Sequence, residues 1–390
     1  MKLLRNTLVS FLIFFGLTVV SLYAFNYGYI ITAVKTVYFN GHTTAFLKDY
    51  QEFDNRIIQG SNTSNTWPEH ELFNQIQQTE KLKKINIELG TTAFLIIKND
   101  SIWHESYYDS FDENEISNSF SMAKTIVSAL LGKAISEGYI KGLDQPVTDF
   151  FPQFESPFQN HLTIGDLSTM SSGLDWDESY YSPFSVSTRS YFSKDLRELI
   201  LSLKIKEEPG KHYKYQSCNT ELLGMILEKA TGKPLSEYLS SSFWIPLGIT
   251  TNALWQLDSD NSGMEKAYCC IAATARDFSR FGRLYKDYGK WNGVPLLDSA
   301  FVARSKQPRF KESPQYGYGL WLLHYKEKDF FMMRGHLGQY VIVQPEDDLI
   351  ITRLGHRSAP RDPKSNFRSD ILTYIDESYQ MLNNDQQSIP

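Results

Sequence analysis

Ser121 and Lys124 are the two residues of this sequence whose types and spacing most directly imply chemistry. They form the only Ser-x-x-Lys in the chain. Residues 125–135 are apolar at helical spacing and around the whole circumference, which is typical of a helix buried inside a domain. Residues three apart lie on one face of a helix, so the hydroxyl and the amine can meet. A desolvated lysine loses its proton more readily and can serve as the base for a serine nucleophile.

The first turn of this helix would also help the serine. Asn118 or Ser119 can cap it, and the partial positive charge of a helix N-terminus favours negative charge that develops on Ser121. A serine and a lysine at this spacing also occur together by coincidence, because both residues are common. The pair therefore needs supporting residues elsewhere in the chain before it identifies a site.

Composition indicates a large folded domain. The 390 residues are 42% hydrophobic and 14% aromatic, which is enough for a packed core in one large domain or two interleaved ones. A net charge of -6 provides no basic surface for phosphates, so we expect no nucleic-acid partner. Cys218, Cys269 and Cys270 are odd in number and two are adjacent, so they imply no disulfide framework.

The N-terminal segment, residues 1–35, is predicted to be a membrane anchor or a signal segment. Lys2 and Arg5 precede an uncharged run that is longer than the roughly 7 to 15 residues of a cleavable signal core. Leu22 and Ala24 form a poor cleavage site, which favours an uncleaved anchor. The positive charges should stay in the cytoplasm, so we expect the catalytic domain in the cell envelope, outside the inner membrane. A cleaved segment would instead leave a periplasmic or secreted protein.

The remaining chain divides into a predicted linker over residues 36–68 and a folded domain over residues 69–390. The periodic patterns run in the order helix, strands, a long helical insert, strands, helix. The predicted helices are 68–88, 221–231, 278–285 and about 365–382, and the predicted strands are 91–98, 101–108, 316–325, 330–334, 339–344 and 349–354.

This order predicts an α+β fold. The early and late strands would form one antiparallel sheet flanked by the terminal helices, a sheet lobe of about 69–118 and 310–390. The insert of about 119–309 would form a second, all-α lobe. A cleft between the lobes would lie at the start of the Ser121 helix, where domain boundaries commonly place ligand sites.

Three stretches, in this order, carry a family resemblance: Ser121-Met122-Ala123-Lys124, Tyr215-Gln216-Ser217-Cys218-Asn219 after Pro209-Gly210, and Gly335-His336-Leu337-Gly338. The chain resembles the penicillin-recognising serine enzymes, in particular class C β-lactamases and their relatives. Residues 162–174 and 272–277 are similar to further segments of that family. The resemblance runs over about residues 69–379 and implies the β-lactamase and transpeptidase-like fold.

The resemblance also implies roles. Ser121 is the expected nucleophile, Lys124 the base of acylation, and Tyr215 the hydroxyl that relays protons between the serine and the leaving group. The oxyanion hole is expected from the backbone N–H groups of Ser121 and Gln339. Substrate contacts are expected from three further residues: Ser217, His336 and Gly338.

Two departures from the family pattern bear on the substrate. Tyr215-Gln216-Ser217 stands where β-lactamases usually have Tyr-x-Asn, a change typical of aminohexanoate-oligomer hydrolases. His336 stands where they have the lysine of Lys-Thr-Gly, as in β-lactamase-like esterases and peptidases. A neutral histidine offers no permanent cation for a substrate carboxylate. We therefore expect a linear amide or ester as substrate, with weak β-lactamase activity at best.

Several alternatives stay open at this point. His336 could only pack against the sheet, Ser217 could be a turn residue, and Cys218 is expected to be a small buried residue. A loop with Asp175, Trp176, Tyr180 and Tyr181 is a further candidate for the pocket lining.

Other functions must also be weighed. A β-lactamase, a D-amino-acid peptidase, or a non-hydrolytic cell-envelope binding protein of the same fold are alternatives to the amide or ester hydrolase. The sequence has no Gly-x-Ser-x-Gly, His-Glu-x-x-His or Cys-x-x-Cys, so we expect neither an α/β-hydrolase elbow nor a metal or other cofactor. The sequence leaves the oligomeric state open.

Overall fold

The computed structural model describes residues 2–180 and 182–386. Its helices are Lys2–Ala24 (α1), Tyr29–Ala33 (α2), Glu80–Glu88 (α3), Ala123–Ser136 (α4), Ile164–Ser168 (α5), Val186–Phe192 (α6), Leu196–Leu201 (α7), Ser217–Thr231 (α8), Leu235–Leu239 (α9), Ala275–Lys286 (α10), Ser299–Ser305 (α11) and Ser369–Gln386 (α12). Its strands are Asn55–Ile58 (β1), Thr91–Lys98 (β2), Ser101–Tyr107 (β3), Ser117–Asn118 (β4), Ala253–Gln256 (β5), Ile271–Ala273 (β6), Lys290–Trp291 (β7), Val294–Pro295 (β8), Trp321–Tyr325 (β9), Lys328–Gly335 (β10), Gln339–Gln344 (β11) and Leu349–Gly355 (β12).

The main sheet joins the early and late strands, as predicted. Its six antiparallel strands follow the order β3-β2-β12-β11-β10-β9. Strand β2 lies next to the edge strand β3 and is covered on both faces: Leu95 and Ile97 pack into the core shared with the helical lobe, whereas Phe94 and Ile96 pack against α12 residues. This two-sided burial explains why β2 reads as a continuous apolar run. The predicted α+β architecture is confirmed. The insert of about 119–309 is not all-α, however, because it contains β5, β6, β7 and β8, and β5 and β6 pair with strands from outside the insert.

Helix α4 is buried on all sides, which accounts for the apolar pattern around its circumference. Its polar side chains bind backbone carbonyls within the core: the Thr125 hydroxyl donates to Gly319 O at 2.7 Å, and the Ser128 hydroxyl donates to Tyr318 O at 2.9 Å. At Gly132 a Cβ atom would lie 2.5 Å from the Phe301 ring. Close packing therefore fixes α4 and the residues at its start.

Several predicted elements are shorter or shifted in the structure. The strand predicted over 316–325 begins only at Trp321. The helix predicted over 68–88 begins only at Glu80, where the Thr79 hydroxyl caps the amide of Leu82. The preceding backbone pairs with β3 instead, because the Ile102 N–H donates to Pro68 O and the His70 N–H donates to Ile102 O. The closing helix is Ser369–Gln386 instead of about 365–382.

Residues 36–68, for which the sequence predicts a linker, pack onto the domain. Leu47, Asp49 and Ile58 are buried, and β1 pairs with β5 in a small sheet of order β1-β5-β6-β4. The segment is mostly polar, so the sequence predicted a linker and not the few apolar residues that attach the segment to the domain. This segment follows α1, a strongly apolar helix in which no residue is buried. Helix α1 has the length and composition of a signal anchor or a signal peptide.

Two of the three cysteines differ from expectation, whereas Cys218 is buried, as predicted. The adjacent Cys269 and Cys270 are bonded to each other, and Cys218 is free and buried. Spacing alone did not predict this pairing of sequence neighbours.

Arg353, on β12, is fully buried and connects several backbone segments. Its guanidinium group donates hydrogen bonds of 2.9–3.1 Å to the carbonyl oxygens of Leu89, Leu337, Gly338 and Arg357 and to the Thr91 hydroxyl. These acceptors belong to the end of α3, the start of β2, and the turns that follow β10 and β12. The turn after β10 is therefore held in place from inside the sheet lobe.

We predict that Arg353→Met lowers the free energy of unfolding by about 3 kcal/mol or more, because several buried carbonyl groups lose their donor. Urea unfolding of the full chain in detergent, followed by tryptophan fluorescence, measures this loss. Arg357→Met is the matched control, since the Arg357 side chain is exposed, and should change stability by no more than about 0.5 kcal/mol. Equal effects of the two substitutions would contradict the assignment.

Candidate active site

The structure brings Ser121 and Lys124 together at the start of α4. Ser121 lies in the 3₁₀ turn Phe120–Met122, and the Lys124 Nζ donates to the Ser121 Oγ at 3.0 Å. The amine also donates to the carbonyl oxygen of Tyr268 at 2.8 Å, and Lys124 is 3% exposed. The hydrogen bond to the Tyr268 carbonyl oxygen helps to hold the amine beside the Ser121 hydroxyl.

Burial sets the protonation of Lys124. Desolvation lowers the pKa of its amine to about 8, against the charges of Glu178 and Glu221, which raise it. Near neutral pH an appreciable fraction of the protein therefore carries an uncharged amine beside Ser121. A neutral amine can accept a proton, which an ammonium cannot.

The pKa of Tyr215 is shifted upward, in the opposite direction to that of Lys124. Burial raises the pKa of its phenol, and the charge of Glu178 raises it further, whereas Ser121 and Arg334 oppose the change. Its ring centroid lies 5.2 Å from the Lys124 Nζ. The phenol therefore remains protonated when Lys124 has lost its proton, which is the combination of protonation states that a Lys124 base and a Tyr215 proton donor would need.

Glu178 is a site residue that the sequence analysis missed. Its carboxylate accepts hydrogen bonds from the Ser217 Oγ at 2.6 Å, the Ser217 N–H at 2.7 Å and the Trp176 Nε1 at 2.7 Å, and from the Tyr180 hydroxyl. Ser217 begins α8, so the negative charge also meets the positive end of that helix. The carboxylate thus ties the loop before α6 to the start of α8.

Only some residues of the loop that contains Asp175, Trp176, Tyr180 and Tyr181 are found at the cavity. Trp176 and Tyr180 line the cavity at Ser121. Asp175 is exposed and accepts a hydrogen bond from the Lys204 N–H at 2.6 Å. Tyr181 lies outside the described residues. Glu178 stands between two aromatic residues, and that setting was the available sequence signal.

His336 lies in the cavity wall. Its Nε2 is 3.5 Å from the Thr44 hydroxyl, and its ring stands edge-on to Phe120 and tilted to Tyr180. Burial, with a smaller contribution from Arg368, lowers the pKa of His336 to about 4. The imidazole is therefore neutral at pH 7.

Gly338 and Gln339 follow His336 between β10 and β11. Gly338 is buried with φ +87°, and a Cβ atom there would lie 2.4 Å from an Arg353 nitrogen, so only glycine fits this turn. The backbone N–H of Gln339 donates to the carbonyl oxygen of His336. Its side-chain amide is buried and bonded to the backbone of Gly355. The expected oxyanion donor at Gln339 is thus already engaged.

Strand β10 nevertheless ends directly against the nucleophile turn. A Cβ atom on Gly335 would lie 2.3 Å from the carbonyl oxygen of Ser119. Only glycine permits this approach, which brings His336 to the cavity.

The cavity at Ser121 has a volume of about 210 Å³ and draws its walls from distant parts of the chain. Ser121, Ser217, Tyr268 and Cys269 lie on one side. The segment after α1 supplies another wall, which includes Val37 and Thr44. No pattern in the sequence placed this segment at the site. Among the described residues, no cluster of three or more His, Cys, Asp or Glu side chains could hold a metal ion.

The rate at which a fluorophosphonate modifies Ser121 should rise with pH and level off above an apparent pKa of about 8, because only neutral Lys124 activates the serine. Stopped-time intact-mass measurements between pH 6 and 10 give the profile. Lys306→Met is the matched control: burial also lowers the pKa of Lys306 to about 8, but its Nζ lies over the Tyr288 and Phe331 rings, outside the cavity. The control should keep the profile, and a flat wild-type profile would contradict the role of Lys124.

Glu178→Gln should move that midpoint to lower pH. The carboxylate stabilises the Lys124 ammonium, so its removal lowers the pKa of the amine further. The same mass assay measures the shift, with the exposed Glu207→Gln as the control that leaves the midpoint in place. A midpoint that stays put or rises in Glu178→Gln would show that this charge does not act on Lys124.

Comparison with known proteins places this geometry in a family. A family model described as Beta-lactamase matches residues 80–374. Among curated proteins, a 6-aminohexanoate-dimer hydrolase from Paenarthrobacter ureafaciens is 27% identical over 226 residues, which cover 55% of this chain and 57% of that protein. A candidate D-alanyl-D-alanine carboxypeptidase from Escherichia coli K12 is 33% identical over 129 residues, 31% of this chain and 29% of that protein. The chain thus spans little more than half, or less, of the length of these relatives.

Solved structures show the same fold. A candidate 6-aminohexanoate-dimer hydrolase from Bacillus anthracis superposes with a TM-score of 0.70 at 20% identity, over 87% of this chain and 93% of that one. A D-amino acid amidase from Ochrobactrum anthropi SV3 superposes with a TM-score of 0.56 at 18% identity, over 78% of this chain and 96% of that one. At these identities the likeness shows the fold alone. Because the family model covers well over half of the sequence, the chain belongs to the beta-lactamase family.

Proposed function

We propose that the protein is a serine hydrolase that forms an acyl-enzyme on Ser121 and cleaves linear amide or ester bonds of small substrates. The observation that carries this proposal is the buried Lys124 amine, 3.0 Å from the Ser121 Oγ, with its pKa lowered to about 8. A pure binding protein has no use for a desolvated base beside a serine.

In the proposed mechanism, Lys124 and Tyr215 each take part in a different proton transfer. As the Ser121 Oγ attacks the substrate carbonyl carbon, its proton passes to neutral Lys124. Tyr215 then donates its proton to the leaving nitrogen or oxygen and is reprotonated from Lys124. The bond between the carbonyl carbon and the leaving group breaks, and the acyl group stays on Ser121. Water, deprotonated by the same amine, attacks the acyl carbon. The bond to the Ser121 Oγ then breaks, the amine returns the proton to the serine oxygen, and the acid is released.

The developing oxyanion needs backbone donors. The first turn of a helix leaves N–H groups without intrahelical acceptors, so the Ser121 N–H is suited to this role. The Gln339 N–H is bonded to His336 O, and it contributes only when a substrate oxygen replaces that carbonyl.

The substrate preference follows from His336. A neutral imidazole supplies no permanent cation for the carboxylate of a β-lactam or of a peptide C-terminus. The relative from Paenarthrobacter ureafaciens is named for the hydrolysis of a linear amide, which supports the same substrate class. We therefore rank linear amides and esters above β-lactams.

The proposed location is the cell envelope, with α1 retained as an anchor. Only residues 25–28 separate α1 from α2, and Tyr29 of α2 is already buried in the domain, where its hydroxyl donates to Pro183 O. Lys2 and Arg5 precede the apolar run, so the catalytic domain would lie on the non-cytoplasmic side.

We predict that Ser121→Ala abolishes turnover and prevents any covalent adduct, because the attacking oxygen is missing. Full-length protein is incubated in parallel with a fluorophosphonate, p-nitrophenyl butyrate, a linear aminohexanoate dimer and nitrocefin, and its intact mass is recorded. Wild type should gain one adduct and hydrolyse the ester or the linear amide, with little hydrolysis of nitrocefin.

Ser182→Ala is the matched control, since Ser182 also lines the cavity. It should react as wild type does. The mass of the untreated protein also reports whether α1 is retained. If wild type forms no adduct and turns over none of the substrates, the non-hydrolytic binding protein replaces the hydrolase as the explanation of this site.

A further inference from the structure

One wall of the catalytic cavity comes from the chain that directly follows the apolar helix α1. The lining residues contributed by this segment are Ala33, Val37, Tyr38, Thr43, Thr44 and Ala45. They face the same space as Ser121 and Ser217. The site is therefore incomplete without residues that stand next to the predicted membrane anchor.

This wall is part of the folded domain. Tyr29 and Val37 form a buried cluster with Phe192 of α6. Further along, Asp49 is buried and accepts hydrogen bonds from the Tyr191 hydroxyl at 2.6 Å and from the Asn118 amide at 2.8 Å. Asn118 lies three residues before the nucleophile. The segment is thus held on the domain at both ends of the cavity wall.

The cavity lies close to the end of α1. Residues 25–28 connect α1 to α2 and can span at most about 14 Å. Helix α1 exposes its entire apolar surface. Tyr29, at the far end of this connection, bonds to the carbonyl oxygen of Pro183, which lines the cavity. If α1 crosses the bilayer, the connection therefore keeps this part of the cavity near the membrane surface.

The surface between α1 and the cavity is aromatic. Phe25 is 73% exposed, Phe39 81% and Phe184 68%, and Tyr38, which lines the cavity, is 61% exposed. The ring of Phe184 stands edge-on to Tyr27 at 5.8 Å, so the domain and the segment form one surface. Exposed aromatic clusters of this kind are typical of sites that contact the membrane interface.

The cavity lining is uncharged. Of the described residues that line it, none is Asp, Glu, Lys or Arg, and His336 is neutral at pH 7. A charged group on the substrate would find no ionic partner in this wall and would lose its hydration. The lining thus favours a neutral, apolar acyl group over a zwitterionic or anionic one.

We propose that the enzyme takes amphiphilic esters or amides from the bilayer surface, with the acyl chain along Ala33, Val37 and Tyr38 and the carbonyl carbon at Ser121. This inference rests on the proposed function. The aromatic surface of Phe25, Phe39 and Phe184 contacts the lipid interface and opens the cavity toward it. The reaction transfers the acyl group to Ser121, releases the alcohol or amine with the serine proton, and ends with attack by water.

Full-length protein in phosphatidylcholine vesicles tests the proposal with p-nitrophenyl esters of two, eight and sixteen carbons. We expect kcat/KM to rise roughly tenfold or more from the shortest to the longest ester, because added methylenes gain contact with the apolar wall. The Phe39→Asp, Phe184→Asp double variant should lose most of the turnover of the sixteen-carbon ester and keep that of the acetate. Neither residue lines the cavity.

Ile87→Asp is the matched control, because Ile87 is 74% exposed on α3, outside the aromatic surface, and should behave as wild type. Turnover of the acetate with no gain from chain length, or a double variant equal to wild type, would overturn the inference and leave the hydrolase intact. Loss of a dimer in the double variant, with full turnover of the long ester, would also overturn it, since the surface would then join two copies of the chain. Failure of every ester together with absence of a fluorophosphonate adduct would instead overturn the proposed function itself.

Discussion

The desolvation of one amine is the constraint on which the rest of this structure depends. A lysine becomes a base near neutral pH only if burial outweighs the nearby negative charges. Here the packed helix α4 and the core around it bury Lys124, while Glu178 and Glu221 oppose the loss of its proton. The two effects leave the pKa at about 8, so the amine can lose and regain a proton near neutral pH, as the proposed mechanism requires.

Glu178 links this electrostatic setting to the shape of the pocket. The carboxylate holds Ser217, Trp176 and Tyr180, and the same charge acts on both Lys124 and Tyr215. The Glu178 charge raises the pKa of both groups, so it favours the protonated form of the lysine and of the tyrosine. A loop residue thus affects both the position of the cavity wall and the protonation of the two groups that we propose as base and proton donor.

The N-terminal segment gives the fold a feature that matters for access. Its residues attach to α6 and to the neighbourhood of Asn118, and between these contacts they close one side of the cavity. The domain, the cavity mouth and the apolar helix are therefore connected by a short and packed stretch of chain. Such an arrangement would restrict how the mouth is oriented if the helix were inserted in a bilayer.

The sequence by itself determined the sheet, the long helices and the pairing of Ser121 with Lys124. These depend on local periodicity and on short spacings: the hairpin at Asn99 and Asp100, with φ +48° and +57°, and the helix that ends at Gly232, with φ +70°, are read from a few adjacent residues. Only the tertiary structure decided the role of Glu178, the engagement of the Gln339 N–H, the burial of Gly338 beneath Arg353, and the use of residues 33–45 as a cavity wall. Each of these joins residues that are far apart in the chain or depends on which partner a backbone group finds. The pattern of side chains along one segment does not indicate which distant residues that segment will contact.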